Sequence, residues 1–169
     1  MEDKLNKRNL PITIRIVRPG DVPRLKEIVA LSWKDQGVAH ILEKRYGQMG
    51  GRPWIEWKWP QVETACKQRP KQVLVSEVNG EVAGFAVYLL DQERKIGTVG
   101  NNAVDPKFRG HGIGKKQIER MMQIFREKGM KFADVTVGLN EGHAAARAVY
   151  EKAGFETVTD SRYMFRKLK

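Results

Sequence analysis

The chain has 169 residues, 41% hydrophobic and 30% charged, with a formal net charge of +11. That length suits one domain with its own core, and the composition excludes a disordered or fibrous chain. Cys66 is the only cysteine, which rules out an internal disulfide and fits a reducing cytoplasm, and the longest apolar run, 82–90, falls far short of the roughly 20 residues of a membrane span.

Residues 1–11 (MEDKLNKRNLP) are polar and lack the apolar core of a signal peptide, so a single domain is expected over 12–169 behind a short tail. Ile12–Val17 alternates β-branched and polar residues, as a half-buried strand does. Asp21 follows a Pro-Gly turn and is placed to cap a helix carrying Val22, Leu25, Ile28 and Val29 on one side. A second helix is expected near Gln36–Tyr46. Residues 47–60 (GQMGGRPWIEWKWP) break this pattern with three glycines, two prolines and three tryptophans, and read as a loop. A short amphipathic piece, Val62–Lys67, follows. Gln72–Val78 and Glu81–Leu90 read as strands joined by an Asn79-Gly80 hairpin, and Ile96–Val104 as a third strand after a polar turn. Helices are expected after Gly114, ending at Gly129, and over His143–Lys152, with a strand over Met130–Gly138 between them. Phe155–Leu168 reads as largely extended. This order predicts a mixed sheet with helices on its faces, an α/β or α+β fold.

The positive charge invites a nucleic-acid partner, but its distribution does not favour one. Residues 1–60 hold 12 basic and 7 acidic side chains, 61–114 hold 7 and 6, and 115–169 hold 12 and 7. No block resembles a nucleic-acid arm. An anionic small ligand explains the excess at least as well.

The most specific stretch is Asn102–Gly114, NAVDPKFRGHGIG. A strand stops at Pro106, and Gly110, Gly112 and Gly114 alternate with His111 and Ile113 before a helix. Glycines there permit positive φ and bring bare main chain close to a ligand, and the N–H groups opening a helix attract phosphate. Spacing excludes the nucleotide loops. No G-x-x-x-x-G-K-[ST] or G-x-G-x-x-G is present, and kinase elements are absent.

Arg109-x-x-Gly112-x-Gly114, preceded by Ala103-Val104-Asp105-Pro106, resembles the pyrophosphate loop of the GNAT superfamily of acyl-CoA-dependent N-acyltransferases. Tyr150-Glu-Lys-Ala-Gly-Phe155 resembles the family's second motif, although the gap from Asn140 to Tyr150 is about three residues longer than usual. IRIVRPGDVPRL, from Ile14 to Leu25 with the strand before it, resembles the first strand and helix. The resemblance spans roughly Ile12 to Phe165 and implies a mixed, mostly antiparallel sheet with helices on both faces.

It also implies an N-acetyltransferase that moves an acetyl group from acetyl-CoA to a primary amine in a ternary complex. Acetyl-CoA would be the co-substrate, with no metal. Main-chain groups of Asn102, Ala103 and Val104 would pair with the pantetheine arm, and the Val104 N–H would stabilise the oxyanion. Arg109, Gly110, His111, Gly112, Ile113, Gly114 and Lys115 would cradle the pyrophosphate, with Asn140 completing the site. Tyr150 is expected as the general acid. Ile96–Val104 has no carboxylate where some members carry a base; Glu56, His40, Asp91 and Glu141 lack positional support, and water-relayed deprotonation is an equal alternative. His143 is read as a capping residue or a coenzyme contact, and Arg147 as an exposed helix residue or a phosphate ligand. Trp54, Trp57 and Trp59 could wall an acceptor site with Glu56, cover a homodimer interface, or pin a loop to the core. The acceptor is a small-molecule or peptide amine. The competing functional readings are a non-catalytic acyl-CoA-binding or regulatory module and a basic nucleic-acid-interacting protein.

Overall fold

Five strands form one sheet in the order β1-β2-β3-β4-β5: β1 Ile12–Ile16, β2 Val73–Val78, β3 Glu81–Asp91, β4 Ile96–Val104 and β5 Phe132–Val135. The first four run antiparallel, and β5 joins β4 in parallel. The computed structural model describes residues 11–168, so the polar segment expected over 1–11 lies, except for Pro11, outside the described residues. Among the described residues five α-helices accompany the sheet: α1 Val22–Trp33, α2 Val38–Tyr46, α3 Trp54–Gln68, α4 Ile113–Glu127 and α5 Ala144–Lys152.

The two-residue period of the strands divides the core. Val73, Val75, Phe85 and Val87 face Leu25, Ile28 and Val29 of α1 and Trp59, Val62 and Ala65 of α3. Leu74, Ala86 and Tyr88 face the other way, onto Ile118, Met121 and Phe125 of α4 and Tyr150 of α5. Helices therefore cover both faces, and the mixed, mostly antiparallel sheet is as the resemblance implies. Helix α2 buries no residue fully and packs on α3.

Two stretches depart from the sequence reading. Residues 54–59 are not loop: α3 begins at Trp54 and absorbs both the tryptophans and the amphipathic piece. Trp59, Val62, Ala65 and Cys66 recur at helical spacing and are all buried, so tertiary burial overrides the breakers around them. Pro53 sits at the N-cap, where no N–H is needed, and Pro60 lies on the exposed side, where water can reach the carbonyl it leaves free. The last segment differs too, since 156–168 pairs with no strand among the described residues. Its first half, Glu156–Arg162, offers one large apolar side chain, Val158, so docking it on the sheet would bury little.

Candidate active site

The site follows from a mismatch in strand length. β4 and β5 pair only from Ile96 to Val99, but β4 runs on to Val104. Beyond Val99, β4 holds one extra residue across from Val87, a bulge at which its course diverges from β5. Gly100 sits at that bulge, 3.0 Å from the Val87 carbonyl oxygen at its would-be Cβ. Past it, the outer edge of β4 is open. The Asp105 N–H donates to the Ala83 oxygen at 2.9 Å, and Gly84 stands opposite Val104. Antiparallel alternation then turns the main-chain groups of Ala103 toward β3 and those of Asn102 and Val104 outward. The Val104 carbonyl accepts from the Ser32 hydroxyl at 3.0 Å, and Val104 lines the cleft. That cleft has a volume of about 1660 Å³, with β4 on one side and Thr136–Asn140 on the other.

Asp105 fixes the end of the strand. It is buried, pairs with the Arg24 guanidinium, and accepts from the Lys107 N–H at 2.8 Å. The chain then turns through Pro106–Phe108 into the glycines. Gly110 and Gly112 both have φ +81, the left-handed region, and added Cβ atoms at Gly110, Gly112 or Gly114 would meet nothing within 4 Å. Gly112 is the N-cap of α4, and no side chain caps the helix. The first helical bond runs from the Lys116 N–H to the Gly112 oxygen, so the N–H groups of Ile113, Gly114 and Lys115 have no partner inside the helix. They open onto the cleft with Arg109 and Gly110. His111 does not line it; its Nδ1 lies 3.2 Å from the Phe108 oxygen.

Tyr150 comes in from α5, on the other side of the sheet. Its ring is buried and packs edge-on against Phe155 at 5.9 Å between centroids. The hydroxyl accepts from the Asn102 amide at 2.8 Å, which leaves its own proton free to donate. Burial raises the phenol's pKa, with Asn102 opposing more weakly, so the group stays protonated. Two turns earlier, His143 Nδ1 lies 2.6 Å from the Asn140 side-chain oxygen, which places the imidazole proton on that nitrogen. Burial, then Arg147 and Lys58, hold His143 below the usual imidazole range, so it is neutral at neutral pH. Arg147 itself donates to the Gly138 oxygen at 2.7 Å and the Asn140 oxygen at 2.9 Å, and clamps the segment leading into α5.

The opposite wall comes from α1, α2 and α3. Trp54 and Trp57 line it, while Trp59 turns into the core. Glu56, expected among them, is exposed on another side of α3 and does not line the cleft. Among the base candidates, His40 and Asp91 are also off the wall; Glu141 lies on it. His40 accepts from the Asp35 N–H at 2.9 Å and Asp91 accepts from the Arg94 N–H at 2.8 Å. Ser32, Trp33 and Lys58 are among the wall residues that the sequence did not single out. Trp54 and Lys58 stand four apart, which would have put both on one side once a helix was recognised.

A family model described as the acetyltransferase (GNAT) family matches residues 28–155. An uncharacterized N-acetyltransferase of Methanocaldococcus jannaschii is 29% identical over 152 residues, 85% of this chain and 60% of that protein. The chain thus spans less than two thirds of that relative. The ribosomal protein bS18-alanine N-acetyltransferase of Escherichia coli is 28% identical over 142 residues, 82% of this chain and 86% of the enzyme. A GNAT family acetyltransferase of Brucella melitensis, solved in complex with acetyl-CoA, superposes with a TM-score of 0.59 at 19% identity, covering 88% of this chain and 85% of that one. With the family model spanning most of the chain and the open strand edge beside an uncapped glycine turn, this chain belongs to the GNAT acetyltransferase family.

Proposed function

We propose that the protein is an N-acetyltransferase that transfers an acetyl group from acetyl-CoA to a primary amine. The observation that carries this reading is the unpaired edge of β4, set between two complementary ends: the uncapped N-terminus of α4 and the buried hydroxyl of Tyr150. Coenzyme A has parts that match each in order. Its pyrophosphate suits the N–H groups of Gly110–Lys115 with Arg109. Its pantetheine amides suit the outward main-chain groups of Asn102 and Val104. Ala103 contributes through position, because its own main chain faces β3. The B. melitensis relative, which holds acetyl-CoA, supports the donor assignment.

The Val104 N–H, fixed by the antiparallel register, is the donor toward the thioester oxygen, where negative charge grows as the amine attacks. Tyr150 protonates the departing sulfur; its free proton and raised pKa keep it competent through neutral and mildly alkaline pH. Asn140, bonded to His143 and to the Gln36 carbonyl oxygen, holds the far wall of the pantetheine channel. The proton lost by the amine leaves through water, since among the described residues Glu141 is the one carboxylate on the cleft wall and is itself exposed.

The test is thiol release from acetyl-CoA in the presence of a panel of primary amines. Amine-dependent release is expected. Tight acetyl-CoA binding without turnover across the panel would instead identify a non-catalytic acyl-CoA module.

A further inference from the structure

Lys58 is a cation with no carboxylate beside it among the described residues. It projects from α3 into the cleft, half-buried, and its Nζ bonds only neutral groups, the Gln61 side-chain oxygen at 2.8 Å and the Asn101 side-chain oxygen at 3.0 Å. It also lies 4.5 Å from the centre of the Trp33 ring. Among the described residues no Asp or Glu oxygen comes within 4.0 Å of it, unlike Arg15, Arg24, Lys44 and Lys107, each of which has such a partner. Burial lowers its pKa, the cost of holding a charge there with neutral company.

Its position matters more than its isolation. Asn101 and Asn102 are consecutive on β4 at the bulge, and their side chains reach helices on opposite faces of the sheet. Asn102 meets Tyr150 of α5, and Asn101 meets Lys58 of α3. The strand edge thus has the sulfur's acid on one side and Lys58 on the other. An amine that attacks at this edge from the side away from Tyr150 would pass Lys58.

An apolar chamber opens beside that position. It has a volume of about 300 Å³ and is lined by Ala39, Leu42, Glu43, Met49, Trp54 and Trp57. The Glu43 carboxylate is occupied by the Trp54 N–H. Four of these residues also line the main cleft, so the chamber lies directly against it. Trp54 stands about one helical turn from Lys58, roughly 6 Å along the axis. A positive head beside an apolar chamber, one turn apart, suits a small ligand with a carboxylate near an apolar side chain. It opposes a polyamine or a lysine side chain, which would add positive charge to an unneutralised lysine.

We propose that the acceptor is a primary amine bearing a carboxylate, an apolar α-amino acid being the simplest, and that Lys58 is the carboxylate receptor. This rests on the acetyltransferase reading above. The experiment measures thiol release at saturating acetyl-CoA with matched pairs. Phenylalanine against phenylalaninamide tests an α-carboxylate, and aspartate α-amide against asparagine α-amide tests a side-chain carboxylate. In at least one pair kcat/KM is expected to be tenfold or more higher for the carboxylate, through KM. Lys58→Met should bring that ratio close to one, and Lys58→Arg should restore most of it. Unaltered acetyl-CoA affinity by calorimetry shows that the variants are folded. Equal use of both members of each pair by the parent protein, or a preference that survives Lys58→Met, overturns the proposal while the acetyltransferase reading stands. Absence of turnover with every amine, with acetyl-CoA still bound, overturns both.

Discussion

The two walls of the cleft are made of different material. The wall formed by β4 and the glycine turn presents main-chain groups, outward Asn102 and Val104 and the free N–H groups of Ile113, Gly114 and Lys115, with α5 adding the Tyr150 hydroxyl. The wall formed by α1, α2 and α3 works through side chains, chiefly Trp33, Trp54, Trp57 and Lys58. A main-chain wall recognises what is common to every acyl-CoA, whereas a side-chain wall can be recut for each acceptor without disturbing the sheet. In the proposed reading the helical wall therefore sets the acceptor, and the strand wall sets the donor.

Four experiments press on that division. The largest effect is expected at Gly112. Gly112→Glu puts a carboxylate at a left-handed N-cap facing the pyrophosphate position, and two charge-assisted bonds lost at about 1.5–3 kcal/mol each amount to roughly a thousandfold loss of acetyl-CoA affinity. Calorimetric titration reads it, and a melting temperature only slightly reduced shows that the fold persists.

Next, α3 should divide by residue. Trp59 is 6% exposed and Trp57 is 48% exposed. Trp59→Ala is expected to destabilise the protein by about 3–5 kcal/mol in denaturant unfolding, as loss of a core aromatic does. Trp57→Ala should cost less than about 1.5 kcal/mol and show itself instead as a raised KM for the acceptor. If Trp57→Ala left every acceptor KM unchanged, the helical wall would lose its assigned role.

Tyr150→Phe keeps the ring packed on Phe155 and removes the proton. A fall in kcat of roughly a hundredfold is expected, with acetyl-CoA affinity preserved. The phenol must be protonated to act, and its pKa is raised, so parent activity should hold through the ordinary phenol range near 10 and fall only above it. Turnover unaffected by the substitution would leave Tyr150 a packing residue.

The smallest effect lies away from both walls. Arg15, on β1, holds Asp21 at 2.7 Å and Glu77 at 2.5 Å, and that hydrogen-bonded guanidinium keeps the Asp21 carboxyl below its ordinary 3.8. A depressed folded pKa gives stability that is present above 3.8 and lost as pH falls through the lower folded value. Asp21→Asn should flatten the acid side of the melting curve while leaving the kinetics of both walls intact.

The same division explains what could be read from the sequence. The donor wall was legible because main-chain recognition constrains residue type. Gly110, Gly112 and Gly114 relieve Cβ atoms where bare backbone must be exposed, Asp105 and Pro106 end the strand, and Tyr150 stands a fixed distance before Gly154 and Phe155. All five strands were legible from alternation and from the Asn79-Gly80 hairpin. The helical wall was not. Glycines and prolines around Trp54–Trp59 mark a loop locally, and only burial of Trp59, Val62 and Cys66 against α1 and the sheet makes the stretch helical. The loop reading also set Glu56 beside the tryptophans; on the helix its side chain faces solvent, and Lys58 takes the cleft position. The final strand failed for the converse reason. Residues 156–162 offer only Val158 to hold on the sheet, and in the apolar stretch that follows Phe165 packs on Tyr46 of α2 instead.

The open stretch of β4 carries a thermodynamic consequence. A sheet that stops pairing partway along an interior strand is a fold one strand short, a vacancy that the proposed pairing of the coenzyme's amide arm would fill. Donor binding is then the last step of folding as much as the first step of catalysis. Mass action makes the link measurable: at a hundred times the dissociation constant, a ligand selective for the native state adds about 2.7 kcal/mol of stability. The amide protons flanking the gap, in β4 and in the segment after β5, should be those whose exchange with solvent slows most when acetyl-CoA is added.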